Sequence, residues 1–200
     1  MKKLWILSVV LLGMFSCQTR GDEVEDLTLT EEEKNDLLVL REEEKLARDV
    51  YLFAGDLYDL PIFANIASSE QNHMDQVLVL LQKYELEDPV IDQRGVFRNA
   101  DIQQLYNQLT TLASQSEVEA LKVGATIEDL DIHDISTFES HTRKTDILEV
   151  YARLKCGSRN HLRSYYARLQ DYGITYSPQY ISQEEFESIV NSPHEQCGRN

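Results

Sequence analysis

Residues 63–84 read FANIASSEQNHMDQVLVLLQKY. Apolar side chains recur at steps of three and four: Phe63, Ile66, Val77, Leu81 (or Leu80) and Tyr84. That is the period of a helix buried along one side. Glu70 and His73 stand in the same stripe, where a helix of this kind ordinarily carries leucine or alanine. A carboxylate and an imidazole pointing into a core need a partner there, because burying an unpaired charge is very costly.

Three further segments carry the same signature. A first helix is expected to begin at Thr30, where TEEE is a capping box with Thr30 as N-cap and Glu33 three residues on. Its seam runs Leu37, Leu40, Glu44, Ala47, Tyr51, Ala54, Tyr58, and DLP closes it. Of the three acids in EEE, residues 42–44, only Glu44 continues the pattern, which places Glu42 and Glu43 on solvated faces. A third long helix starts at Ser116, with Glu119 completing a second capping box, and has the seam Val118, Leu121, Ala125, Glu128, Ile132, Ile135. Asp131 lies on its flank, beside Asp129 and Asp134. The fourth has the seam Ile147, Tyr151, Leu154, Ser158, His161, Tyr165, Leu169; Gly157 weakens it locally and Gly173 is a C-cap. His133 and His141 read as surface or loop residues without a role.

Between the second and third long helices lies EDPVIDQRGVFRNADIQQLYNQLTTLASQ, with Pro, Gly and a short helical piece around Ile102, Leu105, Tyr106 and Leu109. It is long enough to cross over between parallel helices. Strand patterns are nearly absent. The expected fold is all-α, a four-helix bundle with a long crossover between helices two and three.

Each seam is interrupted by polar groups near its middle: Glu44; Glu70 with His73; Glu128 flanked by Asp131; Ser158 with His161. Packed together, these groups converge at one level. A cation would neutralise the carboxylates, and oxygen and imidazole ligands without thiolate suit iron, manganese or zinc. Glu-x-x-His sets both side chains on one face, one turn apart. Each residue alone also has an ordinary explanation, as a solvated acid or a hydrogen-bonded core histidine; the joint pattern carries the argument.

The 200-residue chain suits one domain and an N-terminal extension, with 42% hydrophobic and 27% charged residues. A formal charge of -16 excludes nucleic acid as a natural partner, since phosphate binding needs clustered Lys and Arg. The opening MKKLWILSVVLLGMFSC has the layout of a secretory signal and is too short to span a bilayer. Ending at Cys17, it resembles a bacterial lipoprotein signal, cleaved before Cys17 with lipid attached to that residue. The alternative is an ordinary cleaved signal with Cys17 a bystander. Residues 18–30 then form a flexible tether, residues 31–173 the bundle and residues 174–200 a tail with a short helix. The expected location is the bacterial cell envelope, anchored to the bilayer through Cys17, or else secreted or soluble in the periplasm. Export leaves Cys156 and Cys197 as the two remaining cysteines, either paired as a disulfide that pins the tail to the last long helix or present as free thiols.

The motifs LREEEKLARDVY, FANIASSEQNHMD, ALKVGATIEDLDI and GSRNHLR together resemble the ferritin-like superfamily, and more closely the family called domain of unknown function 2202. The resemblance covers roughly residues 31–172. It implies a Glu on the first helix, Glu-x-x-His on the second, an acid on the third and Glu-x-x-His on the fourth. Glu44, with Ala47 and Tyr51, matches a rubrerythrin-like first motif; Glu70 and His73 match the second, Glu128 the third and His161 the fourth, and Asp131 falls where rubrerythrin-like proteins carry an additional acid. Ser158 replaces the expected fourth-helix Glu; Asp131, or Asn160 one step off the seam, could supply the missing oxygen. The resemblance implies one or two iron ions, with manganese or zinc as alternatives, and an oxidase, peroxide-reducing or iron-oxidising protein; the signal-like opening adds the expectation that it is exported. The competing expectations are a metal-binding protein without turnover, and a structural or interaction bundle. A homodimer is a further state the sequence allows.

Overall fold

A computed structural model describes residues 27–198. The signal-like segment, Cys17 and most of the tether lie outside the described residues. Six helices run in order: α1 (Glu31–Leu57), α2 (Pro61–Lys83), α3 (Ala100–Ala113), α4 (Glu117–His141), α5 (Thr145–Asp171) and α6 (Gln183–Val190). Among the described residues there is no strand, and no helix is long and apolar enough to cross a membrane.

Helix α1 starts where the capping box sets it. The Thr30 hydroxyl accepts from the Glu33 N–H at 3.1 Å and the Glu33 carboxylate accepts from the Thr30 N–H at 2.8 Å. Chain order begins before the cap, because Leu29 is buried against the same apolar cluster as Leu37 and Val77. Pro61 takes the first position of α2, where its missing N–H costs nothing. At α4 half of the expected box forms: Ser116 accepts from the Glu119 N–H, but the Glu119 carboxylate pairs with Lys122 at 2.7 Å instead of returning to the cap.

The most extensive helix pairings are α1 with α2 and α4 with α5; α1 also packs on α4, and α2 on α5. The short α3 sits in the long connection and packs on α1 and α4. Two apolar clusters form along the four long helices. One holds Leu37, Leu40, Val77, Leu81, Ile135, Tyr151 and Leu154. The other holds Ala47, Tyr51, Phe63, Leu121, Ile132, Leu162 and Tyr165. The polar interruptions of the seams fall in sequence between the two clusters on α1, α2 and α5.

The expected solvation of Glu42 and Glu43 is corrected. Glu42 is buried, because the connection after α2 folds over α1: its carboxylate accepts from the Arg98 N–H at 2.7 Å and the Asn99 N–H at 3.1 Å. One turn along, the fully buried Lys45 bonds Asp49 at 2.6 Å and the carbonyls of Gln93 and Val96. Glu43 is half-buried overall, but its Oε2 is cut off from solvent. Asp129 is likewise buried, because the tail covers it: its carboxylate accepts from Tyr176 Oη and from the N–H groups of Tyr180 and Ile181. The tail is tied down again by Arg163, which donates to Ile189 O and Glu195 Oε1, and by a Cys156–Cys197 disulfide.

Candidate metal centre

Glu44, Glu70 and Glu128 are completely buried, Asp131 is 2% exposed, and His73 and His161 nearly as hidden. They come from all four long helices. Glu70 is the hinge of the arrangement. Its Oε2 lies 2.7 Å from His73 Nδ1, and its Oε1 lies 2.8 Å from His161 Nδ1. On one side Glu44 Oε2 approaches His73 Nδ1 at 3.1 Å; on the other Glu128 Oε2 approaches His161 Nδ1 at 3.4 Å. Two ligand-like triads result, Glu44–Glu70–His73 and Glu70–Glu128–His161, each with its donor atoms within 4.8 Å of one another and both using Glu70.

Neighbouring groups hold these side chains in place. Tyr51 Oη donates to Glu128 Oε1 at 2.6 Å, which leaves Oε2 facing His161. Ser69 Oγ lies 3.0 Å from His161 Nε2 and so turns the Nδ1 edge toward the carboxylates. The two imidazoles stack with ring centroids 5.6 Å apart.

Gly157, which the sequence presents as a weak point in α5, makes room for His73. A Cβ there would lie 2.5 Å from His73 Nε2. Gly157→Ala should therefore push the His73 ring off its carboxylates, cost about 1–3 kcal/mol as overpacking, and weaken metal binding at the His73 side while sparing the His161 side. Metal titration of the variant, read with thermal melts, checks this.

The residues fit a cation better than they fit each other. Glu44 Oε1, both oxygens of Glu70, Glu128 Oε2, Asp131 Oδ2 and His161 Nδ1 are buried without an aligned hydrogen bond. Glu70 and His161 are therefore close in distance yet not oriented as donor and acceptor. Lone pairs converging on shared space are what a ligand set requires, whereas buried polar atoms without a partner are otherwise rare. Two divalent ions would balance the four carboxylates with both imidazoles neutral.

Without metal, protons do the neutralising. Burial pushes the Glu44 carboxyl up to about 7, with His73 opposing it and Glu70 adding to it. Burial raises Glu128 despite His161, and drives Asp131 well above the carboxylate range with the help of Glu44 and Glu128. Burial also pushes Glu70 up, but His161 and His73 outweigh it and hold Glu70 well below the ordinary range. Burial depresses His161, yet Glu70 and Glu128 lift it to about 10; Glu70 and Glu44 lift His73 in the same way.

The remaining residues singled out from the sequence fall elsewhere. Ser158 is buried and donates back to Leu154 O at 3.2 Å. Asn160 is no substitute ligand: its side chain is engaged by Arg163, Glu195 and Cys197 of the α5–tail contact. Asp131 belongs to neither triad, though Glu44 is its foremost charged neighbour. A cleft of about 290 Å³ reaches the solvent-side edges of His73 and His161, lined also by Ser69, Gly157 and Cys197.

The match to known proteins is extensive. The family model described as "Uncharacterized protein domain (DUF2202)" matches residues 33–193. The uncharacterized protein MJ0754 of Methanocaldococcus jannaschii is 53% identical over 168 residues, covering 84% of this chain and 91% of that protein. The crystal structure of hypothetical protein MJ0754 superposes with a TM-score of 0.83 over 84% of this chain and 97% of that one. The chain therefore belongs to the DUF2202 family.

Proposed function

We propose that this protein is a ferritin-like four-helix bundle holding a dinuclear metal centre, and that it acts as an exported redox protein on oxygen, peroxide or ferrous iron. One observation carries the reading: two triads, each with a histidine, share Glu70 and aim unpartnered lone pairs into common space. Glu70 would bridge. Glu44 and His73 would complete one position, and Glu128 and His161 the other. Asp131 would be a reserve carboxylate beside Glu44.

Iron or manganese bound here would supply paired one-electron steps, which match the two-electron reduction of peroxide or the oxidation of two ferrous ions. The protein's part is to hold that geometry. Tyr51 fixes Glu128 through Oη, Ser69 fixes His161 through Oγ, and Gly157 lets His73 reach its carboxylates. The apolar clusters on both sides keep bulk water from the carboxylates.

A second reading is favoured by Ser158, whose hydroxyl turns back to the backbone where the ferritin-like pattern would place a carboxylate. A poorer oxygen set would suit a protein that holds or senses metal without turnover. Lipid attachment at Cys17 is part of the proposal, and the Cys156–Cys197 disulfide suits an oxidising compartment.

The test is metal stoichiometry on protein purified without chelator, followed by anaerobic addition of ferrous iron and then oxygen. The redox reading expects about two ions per chain and oxygen consumption in proportion to iron. Tightly held metal with no oxygen consumption would leave the holding reading. Absence of bound metal would overturn both.

A further inference from the structure

Solvent meets the candidate centre at its imidazoles. Glu44, Glu70 and Glu128 have no exposed surface and Asp131 has 2%, whereas His73 keeps 5% and His161 9%. Both rings turn Nδ1 toward the carboxylates, so their opposite edges face outward. There His161 Nε2 meets Ser69 Oγ, and His73 Nε2 lies over Gly157. Ser69, Gly157 and both imidazoles line one cleft of about 290 Å³ between α2 and α5. Of the four pairings among the long helices, α2 with α5 is the least extensive, and the small side chains at 69 and 157 leave that seam open. The tail supplies the other wall through Glu195 and Cys197, held by the disulfide to Cys156.

The charge of the cleft runs opposite to that of the chain. The chain carries a formal -16, yet Glu195, the acid in the lining, is matched by Arg159 at 2.8 Å and Arg163 at 2.7 Å. Arg153 lines the cleft as well, and among the described residues it pairs with no carboxylate. Its Nε donates to Gln76 Oε1 at 2.8 Å, which leaves the terminal nitrogens of the guanidinium for a ligand. Asn72, Gln76 and Asn160 add neutral, polar surface. A cleft whose walls carry one sign of charge gathers ligands of the other sign. A volume at the lower end for ligand pockets admits molecules of a few heavy atoms.

We propose that the cleft between α2 and α5 is the ligand port of the metal centre, that it takes small anions and uncharged polar molecules of peroxide size, and that Arg153 selects against cations there. The port rests on the dinuclear reading given above; the cleft and its charge do not. His73 is the gate, because its ring has Gly157 beside it and open cleft on its outer side, so a rotation outward clears the way to Glu70.

Azide, a small anion that gives a charge-transfer band on ferric iron, is the probe. The full chain is loaded with iron, oxidised with ferricyanide and mixed with azide. Arg153→Gln should keep the iron content of the parent but bind azide several-fold more slowly, and the difference should shrink as salt is raised. Asn72→Trp, at an exposed position on the rim, should slow azide without that dependence on salt. Cys156→Ala combined with Cys197→Ala frees the tail and should speed it. Iron-loaded protein whose azide rates are the same in the parent and all the variants would overturn the port and leave the dinuclear reading intact. A rate that responds to Asn72→Trp but not to Arg153→Gln would overturn selection by charge. A parent chain that holds no iron, manganese or zinc would overturn the dinuclear reading, and the port with it.

Discussion

Glu70→Ala should bring metal content from about two ions per chain to none, whereas Glu44→Ala and Glu128→Ala should each lose about one. The asymmetry follows from the geometry. Glu70 gives one oxygen to the His73 side and the other to the His161 side, while Glu44 and Glu128 each serve a single triad. Removing Glu70 also leaves His73 with Glu44 alone and His161 with Glu128 at 3.4 Å. Glu70→Gln separates charge from shape: the amide oxygen can serve one ion but not bridge two, so about one ion should remain, weakly held. Metal analysis after gel filtration, beside far-ultraviolet circular dichroism to show retained helix, decides the matter. If Glu70→Ala kept one tight ion, Glu70 would not be shared between the two positions. If Glu44→Ala emptied both, the two halves would not be separable as the distances imply.

The positions that converge are those that break the apolar seams, and this much is legible in the chain because helical period sorts residues by face. Glu44 is picked out from EEE by continuing the steps from Leu37 and Leu40, and it is completely buried. Helical period carries no trace of burial by a segment distant in sequence. Glu42 is off the seam, yet the connection after α2 lays the N–H groups of Arg98 and Asn99 on it. Asp129 is off the seam of α4, yet the tail closes over it through Tyr176, Tyr180 and Ile181. No periodicity within one helix announces either contact. Gly157 was illegible for another reason: a missing side chain reads as weak helix propensity, and only the His73 ring lying against it gives the absence a purpose. Lys45 and Asp49 stand four apart, a spacing common on solvated faces, so nothing local marks them as a buried pair. Asn160 shows the reverse error, since a polar residue near the seam can be claimed by the tail instead of the centre.

Metal loading should raise the melting temperature by an amount that grows with pH between about 5 and 8. The signs follow from which state holds more protons. In the metal-free protein the Glu44 carboxyl is raised to about 7. Its proton-linked stability is present below the ordinary carboxylate value and is lost as pH rises toward 7. His161, raised to about 10, contributes stability that is full below its ordinary value of 6.5 and drains away as pH rises through 10. Glu70, held well below its ordinary value, contributes in the opposite sense, but only at pH below the window considered. The metal-free fold thus weakens from pH 5 upward as far as this cluster is concerned. Metal replaces those same protons, so its affinity rises with pH and loading releases protons from both imidazoles. Two ions, each at a hundredfold its dissociation constant, stabilise the fold by about 5 kcal/mol. For a chain of this size that is on the order of 10–20 °C in melting temperature. Paired melts of stripped and loaded protein at pH 5, 6.5 and 8 give the slope, and a pH indicator in weak buffer counts the protons released. A gap that stayed constant with pH would mean that metal and protons do not compete for the same atoms. In that case the unpartnered oxygens around Glu70 would be satisfied by something other than a cation.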